Sequence, residues 1–88
     1  MKRGIIIDKK DNVGIVLENA ESGETIDFGS CEIEATEHIK VFHKQALRDI
    51  EIGDSVIKYG QPIGYATHKI KKGDWVHIHN LDAEKLMK

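Results

Sequence analysis

The 88-residue chain has the size and composition of one small globular domain, which we place at residues 1–88. Hydrophobic residues make up 40% of the sequence, enough for a folded core rather than a disordered segment. Thirteen Lys and Arg residues oppose fifteen Asp and Glu residues, for a net charge of −2. This balance lacks the basic surface that nucleic-acid-binding proteins use, so nucleic acid is not an expected partner.

Cysteine content and hydropathy favour a cytoplasmic protein. Cys31 is the one cysteine of the sequence, so no intrachain disulfide can form and secretion is disfavoured. The apolar run at residues 5–7 is far shorter than the apolar core of a signal peptide. No run approaches the roughly 20 residues that a membrane-spanning helix needs.

The amino-terminal half reads as short strands separated by polar turns. Residues 4–8, 13–18 and 25–28 are β-rich, and we expect these three strands to pair as a meander, because neighbouring strands with short connections usually pair. Residues 30–42 alternate mostly with period two, which favours a strand. A short helical turn near residues 34–38 is the alternative for that segment.

A sequence repeat predicts two similar corners in the second half. Residues 50–56 and 70–76 both fit Ile-x-x-Gly-Asp-x-Val. Glycine can take a positive φ, so each copy predicts a tight turn from which a strand departs. Asp54 and Asp74 follow these glycines, and we interpret both as structural residues that bond to their own backbone.

Only the carboxyl terminus has a helical pattern. Asn80 or Asp82 would cap a short turn over residues 83–87. A helix of this length is marginal alone and needs a surface on which to dock. The predicted fold class is therefore a mainly β domain of short strands with a short carboxyl-terminal helical turn.

The histidines near the carboxyl end carry the main chemical signal. If residues 75–79 continue as a strand, Trp75, His77 and His79 share one face, while Val76 and Ile78 anchor the other face in the core. Two imidazoles at this spacing can converge on one divalent ion. The alternative is a pair of solvent-facing histidines at a strand end.

Three other histidines divide into one candidate and two ordinary surface residues. His43 precedes a strand-like run and would approach His77 if the two strands are neighbours. His38 and His68 have charged or polar neighbours, which is typical of exposed residues without a special role.

Four segments carry a resemblance to a known family. The run Ala-Leu-Arg-Asp-Ile-x-x-Gly at residues 46–53 resembles the signature of SAF domains. A longer pattern resembles the amino-terminal region of altronate and galactarate dehydratases. It comprises His-Lys-x-Ala-Leu at residues 43–47, Ile-Lys-Tyr-Gly-x-Pro-Ile-Gly-x-Ala at 57–66 and Gly-x-Trp-Val-His-x-His-Asn-Leu at 73–81. Phe42 stands where this family usually has a glycine.

This resemblance implies a β-clip fold and a role in a hydro-lyase. Such enzymes remove water from a sugar acid to give a 2-keto-3-deoxy acid, with a divalent metal, commonly iron or manganese. Larger members fuse this module to a much longer catalytic part, so we expect a small subunit whose site is completed by a large catalytic subunit. The expected roles are His43 as a catalytic acid or base, Lys44 as the contact for the substrate carboxylate, and His77 and His79 as metal ligands.

Other functions fit the same sequence. The small subunit of a sulfolactate sulfo-lyase shares the architecture that the resemblance implies. A non-catalytic module that binds a sugar acid or a protein partner comes from a different functional class, as does a structural module without a working site. Self-association of the isolated chain is also compatible with so small a core.

Overall fold

The computed structural model describes residues 1–83, which form nine short β-strands and no helix. The strands are β1 Lys2–Ile5, β2 Val13–Val16, β3 Thr25–Asp27, β4 Glu32–Glu34, β5 Lys44–Ala46, β6 Ser55–Lys58, β7 Gln61–Ala66, β8 Trp75–Val76 and β9 Leu81–Asp82. The predicted mainly β fold class is therefore confirmed. The helical turn predicted for residues 83–87 falls, apart from Ala83, outside the described residues.

The strands form two sheets. One has six strands in the order β4-β3-β1-β2-β5-β8, and the other has three in the order β6-β7-β9. β1 and β2 pair antiparallel as predicted, but β3 lies on the other side of β1 and runs parallel to it, with Lys2 opposite Ile26. The predicted meander is thus wrong. The connection after β2 crosses to the far edge of β1, and on the way Ala20 pairs with Ile39 in an isolated bridge.

The strand predicted over residues 30–42 is much shorter than expected. Only Glu32–Glu34 form a strand, and a bend follows at residues 36–37. The alternation was nevertheless a correct guide to burial, because Ile33, Ala35 and Ile39 are all buried. Of these buried residues, Ile33 lies in the strand, Ala35 directly follows it and Ile39 forms a bridge, so their burial does not require one continuous strand.

Two hydrophobic clusters make up the core. One is centred on β5, β6 and β7 and contains Val13, Ala46, Ile50, Val56, Ala66, Ile70 and Val76. The other is centred on β3 and β4 and contains Val16, Ala20, Ile26, Phe28, Ile33, Ala35 and Ile39, with Trp75 packed against it. The Phe28 ring lies over the backbone of Gly4 and Gly14, where any added Cβ would clash with it.

The predicted repeat corner occurs four times rather than twice. Each corner spans five residues. The first residue forms an isolated bridge, the fourth has a positive φ, and the N–H of the fifth donates a hydrogen bond to the C=O of the second. These corners are residues 20–24, 39–43, 50–54 and 70–74. The bridges Ala20–Ile39 and Ile50–Ile70 join them in pairs.

Acidic side chains close two of the four corners. Glu24 Oε1 accepts a hydrogen bond from the Glu21 N–H at 2.8 Å, and Asp74 Oδ2 accepts one from the Lys71 N–H at 2.9 Å. The structural role predicted for Asp74 is confirmed by this contact and by a second one, from the Thr36 hydroxyl at 2.6 Å. In the corner at residues 39–43, the equivalent position is His43, and the positive-φ residue is Phe42 instead of glycine.

No helix long and apolar enough to cross a membrane occurs among residues 1–83.

Candidate active site

The candidate site lies where β5 and β8 end side by side. Lys44 pairs with Val76, and Gln45 pairs with Trp75, in an antiparallel ladder. This pairing brings the ring of His43 next to the ring of His77, with centroids 4.9 Å apart. The expectation that His43 approaches His77 across neighbouring strands is therefore confirmed.

Trp75 links these histidines. Its indole N–H donates a hydrogen bond to Nδ1 of His43 at 3.0 Å. The indole nitrogen is only ever a donor, so Nδ1 of His43 has to be an unprotonated acceptor. A neutral imidazole carries its one proton on the other nitrogen, which makes His43 the Nε2–H tautomer in this arrangement.

The same indole ring contacts His77 and His79. His77 stacks on it with centroids 5.2 Å apart and an interplanar angle of 13°. His79 lies 4.7 Å from it, tilted by 35°. Trp75 is thus the common neighbour of all three histidines, a role that the sequence did not reveal.

The predicted His-x-His strand is wrong. β8 ends at Val76, and residues 77–80 form a turn. The turn is closed by Asn80, whose side-chain oxygen accepts from the His77 N–H at 2.9 Å and whose amide donates to the Trp75 carbonyl at 2.9 Å. Val76 is buried as predicted, but Ile78 is 83% exposed and anchors nothing in the core.

A cavity of about 250 Å³ opens beside these rings, lined by His38, Lys40, His43, Trp75 and His77. His38 was predicted to be an ordinary exposed residue. It is exposed, yet it lines this cavity and its Nδ1 lies 3.0 Å from Oε2 of Glu21. His68, predicted in the same way, is exposed and contacts the Thr67 hydroxyl outside this cavity. In a straight strand, His38 and His43 would face opposite sides. The corner at residues 39–43 bends the chain, so both histidines line the same cavity.

Lys44 lies away from the cavity. It faces the same side of the sheet as its ladder partners Ile15 and Val76, whereas His43 is on the side of Trp75. Lys44 is half-buried, and burial lowers its pKa below the ordinary value, with a smaller contribution from Lys58. Lys40 is the lysine that lines the cavity with the histidines.

The surroundings of His77 lower its pKa. Burial lowers the pKa of His77 below its ordinary value of 6.5, and the neighbouring His43, Lys44 and His79 lower it further. The neutral form of His77 is therefore favoured at neutral pH. A neutral imidazole can accept a proton or bind a metal ion.

Comparison with known proteins identifies the family. The sequence profile of the altronate/galactarate dehydratase SAF domain matches residues 2–84. The chain belongs to this family. The altronate dehydratase of Bacillus subtilis (strain 168) is 42% identical to this SAF domain over 80 residues, which are 91% of the chain but 16% of that enzyme. The galactarate dehydratase (L-threo-forming) of Escherichia coli (strain K12) is 36% identical over 74 residues, 82% of the chain and 14% of that enzyme.

A third relative differs in length. The (2R)-sulfolactate sulfo-lyase subunit alpha of Chromohalobacter salexigens is 31% identical over 88 residues, which cover 92% of the SAF domain and 94% of that subunit. The chain therefore spans about a sixth of the altronate dehydratase it matches but nearly the whole of this alpha subunit. These relatives place the SAF domain in a family of lyases.

Residues 1–83 do not form a complete metal centre by themselves. Among residues 1–83, no group of three or more His, Cys, Asp or Glu side chains is arranged to hold an ion. Nδ1 of His43 is already bonded to Trp75, and a metal on its Nε2 would require the opposite tautomer. His77 and His79 are then the two imidazoles available as metal ligands. Two ligands are fewer than the three or four protein ligands of ordinary zinc sites.

Proposed function

We propose that this SAF domain is the small subunit of a sugar-acid hydro-lyase of the altronate/galactarate dehydratase type. In this proposal a β-clip module contributes residues to an active site that a large catalytic subunit completes. The main support is the cluster of His43, Trp75 and His77 beside a 250 Å³ cavity, in a chain that matches a sixth of a dehydratase.

The proposed reaction divides acid and base roles between the cavity residues. Dehydration removes a proton from the carbon beside the carboxylate, and the hydroxyl of the next carbon leaves with a proton as water. The resulting enol rearranges to the 2-keto-3-deoxy acid. His77 has the lowered pKa of a group that is neutral at pH 7 and can accept a proton.

His43 is the proposed hydrogen-bond donor. Because Trp75 bonds to its Nδ1, His43 presents Nε2–H and donates to a substrate oxygen on which negative charge develops. Lys40 lines the cavity and provides a positive charge for the substrate carboxylate. Lys44, which was expected to make this contact, does not line the cavity and is not assigned that role. Any iron or manganese ion of the assembled enzyme would take most of its ligands from the large subunit, with His79 as a contributor. His77 could be a ligand only if another group were the base, because an imidazole nitrogen that binds a metal cannot accept a proton.

A sulfolactate sulfo-lyase is the second candidate, favoured by the near-equal length of the SAF domain and that alpha subunit. The same residues would then bind a sulfo acid, and sulfite would leave instead of water. Both candidates require a large partner chain, and they differ in the leaving group.

Reconstitution separates these functions. The large lyase chain encoded in the same genome is assayed with and without the SAF domain, using altronate, galactarate and (2R)-sulfolactate. The proposal predicts release of the 2-keto-3-deoxy acid only when both chains are present. Sulfite release from sulfolactate would favour the second candidate, and full activity of the large chain alone would contradict both.

A further inference from the structure

Two large apolar side chains stand exposed next to the site histidines. Phe42 is 71% exposed and precedes His43, and Ile78 is 83% exposed and lies between His77 and His79. The β5–β8 ladder ends at the Lys44–Val76 pair. The rings of their chain neighbours His43 and His77 have centroids 4.9 Å apart, so Phe42 and Ile78 both adjoin the candidate site.

The backbone conformation of Phe42 indicates that this side chain has a role in contacting another molecule. Phe42 has a φ of 70°, a left-handed conformation that glycine adopts easily and an aromatic residue does not. The other three corners use Gly23, Gly53 and Gly73 at this position. The mostly exposed ring gains little burial within residues 1–83 that would offset the strain, and strain of this kind concentrates at functional sites.

The charge around this edge defines the chemistry of a partner. Residues 38–44 and 77–79 contain two lysines and four of the five histidines of the chain. This contrasts with the excess of acidic residues in the whole sequence. Carboxylates that contact this region include Glu21, 3.0 Å from His38, and Glu37, which accepts from the Trp75 N–H at 3.2 Å. A complementary partner surface has an apolar recess for two side chains with carboxylates around it.

We propose that Phe42 and Ile78 are the docking contact for the large lyase chain. This inference rests on the proposed function. The same domain occupies about a sixth of the altronate dehydratase polypeptide, so the remaining length is the natural occupant of a surface beside the site. Docking at this edge would close the cavity while leaving His43 and His77 directed into it.

The test compares three variants in binding to the large lyase chain of the same genome. Phe42→Gly and Ile78→Ser remove the two contacts, and Ile52→Ser is the matched control, an apolar residue 68% exposed in the corner at 50–54. Full burial of such a side chain corresponds to about tenfold or more in affinity. Each test variant should therefore raise Kd about tenfold, and Ile52→Ser should leave it unchanged.

Phe42→Gly also separates lost docking from misfolding. Because glycine accepts the positive φ, this variant should melt at a higher temperature than the wild type while binding the large chain more weakly. A parallel loss of thermal stability and binding would overturn the assignment of Phe42. An unchanged Kd for both test variants in a complex that still releases product would overturn the docking surface alone.

Two further outcomes are distinguishable. Product release by the large chain alone would overturn the proposed function, while Kd would still report whether Phe42 and Ile78 dock it. A second copy of the SAF domain is the alternative occupant. Sedimentation of the isolated chain as a dimer that Phe42→Gly and Ile78→Ser dissociate would overturn the large chain as the occupant of this edge.

Discussion

The indole N–H of Trp75 donates to Nδ1 of His43 at 3.0 Å, and this one hydrogen bond fixes which nitrogen of His43 carries the proton. The two residues come from strand ends 32 positions apart in the chain. The β5–β8 pairing brings them together. The chemistry proposed for His43 therefore depends on the fold and cannot be read from the local sequence.

Trp75→Phe tests this relationship. The substitution keeps an aromatic ring for His77 and removes the N–H donor, so His43 should populate both neutral tautomers. Nitrogen-15 NMR of the imidazole measures the tautomer directly. Loss of one hydrogen bond should lower stability by about 0.5–1.5 kcal/mol. A His43 tautomer unchanged in Trp75→Phe would contradict the role of the indole.

Phe42→Gly should stabilise the isolated chain. The left-handed backbone destabilises the folded chain by about 1–2 kcal/mol at a non-glycine residue, and glycine removes this cost. The greater freedom of glycine in the unfolded chain offsets about 0.5–1 kcal/mol of that gain. We expect a net gain of about 0.5–1 kcal/mol in urea unfolding. Phe42→Ala is the control, because alanine retains the backbone penalty and should give no comparable gain. Equal stability of the two variants would argue against strain at this position.

Gly14→Ala should destabilise the fold. A Cβ at residue 14 would meet the Phe28 ring, which packs over both Gly4 and Gly14. Overpacking of this kind typically costs about 1–3 kcal/mol. Combining Gly14→Ala with Phe28→Leu should recover part of the loss, because the smaller side chain leaves room for the methyl group. Simple additivity of the two losses in a double-mutant cycle would contradict direct contact.

The lowered pKa of His77 predicts a pH dependence of stability. Between the folded pKa and the ordinary value of 6.5, the unfolded chain binds more protons at His77 than the folded chain does. The contribution of His77 is therefore complete above pH 6.5 and is lost as pH falls towards the folded pKa. Urea unfolding from pH 7.5 down to pH 5 should show falling stability, with a shallower fall in His77→Asn.

His68→Asn is the control for that series. His68 is exposed and contacts the Thr67 hydroxyl, apart from the aromatic cluster. Its substitution should leave the pH profile as in the wild type. A His77→Asn profile identical to that of wild type would show that other groups produce the fall.

The sequence predicted the local elements better than the connections between them. Alternation identified the early strands and the burial of Ile33, Ala35 and Ile39, because side-chain period follows directly from strand geometry. The parallel pairing of β3 with β1 was missed, since no local pattern states which edge of a strand a returning chain reaches. Membership of the SAF-domain family was predicted from the segments between His43 and Leu81 and is confirmed.

Two corners escaped recognition because their residues differ from Gly-Asp. Gly23-Glu24 departs slightly from the repeat, and Phe42-His43 departs completely, although both adopt the same backbone turn. At residues 77–80, the β-branched Ile78 and its alternating neighbours suggested a strand. The three hydrogen bonds that join Asn80 to His77 and Trp75 favour a turn instead, and a sequence pattern does not reveal such contacts.

Turnover by the reconstituted complex with His43→Ala is the most direct test of a catalytic role for this chain. Binding of the large lyase chain is measured alongside, so that turnover is expressed per assembled complex. The account predicts unchanged assembly and a loss of kcat of about 100-fold or more, as expected when a donor to developing charge is removed. Wild-type turnover per complex in His43→Ala would contradict it and favour a non-catalytic binding module.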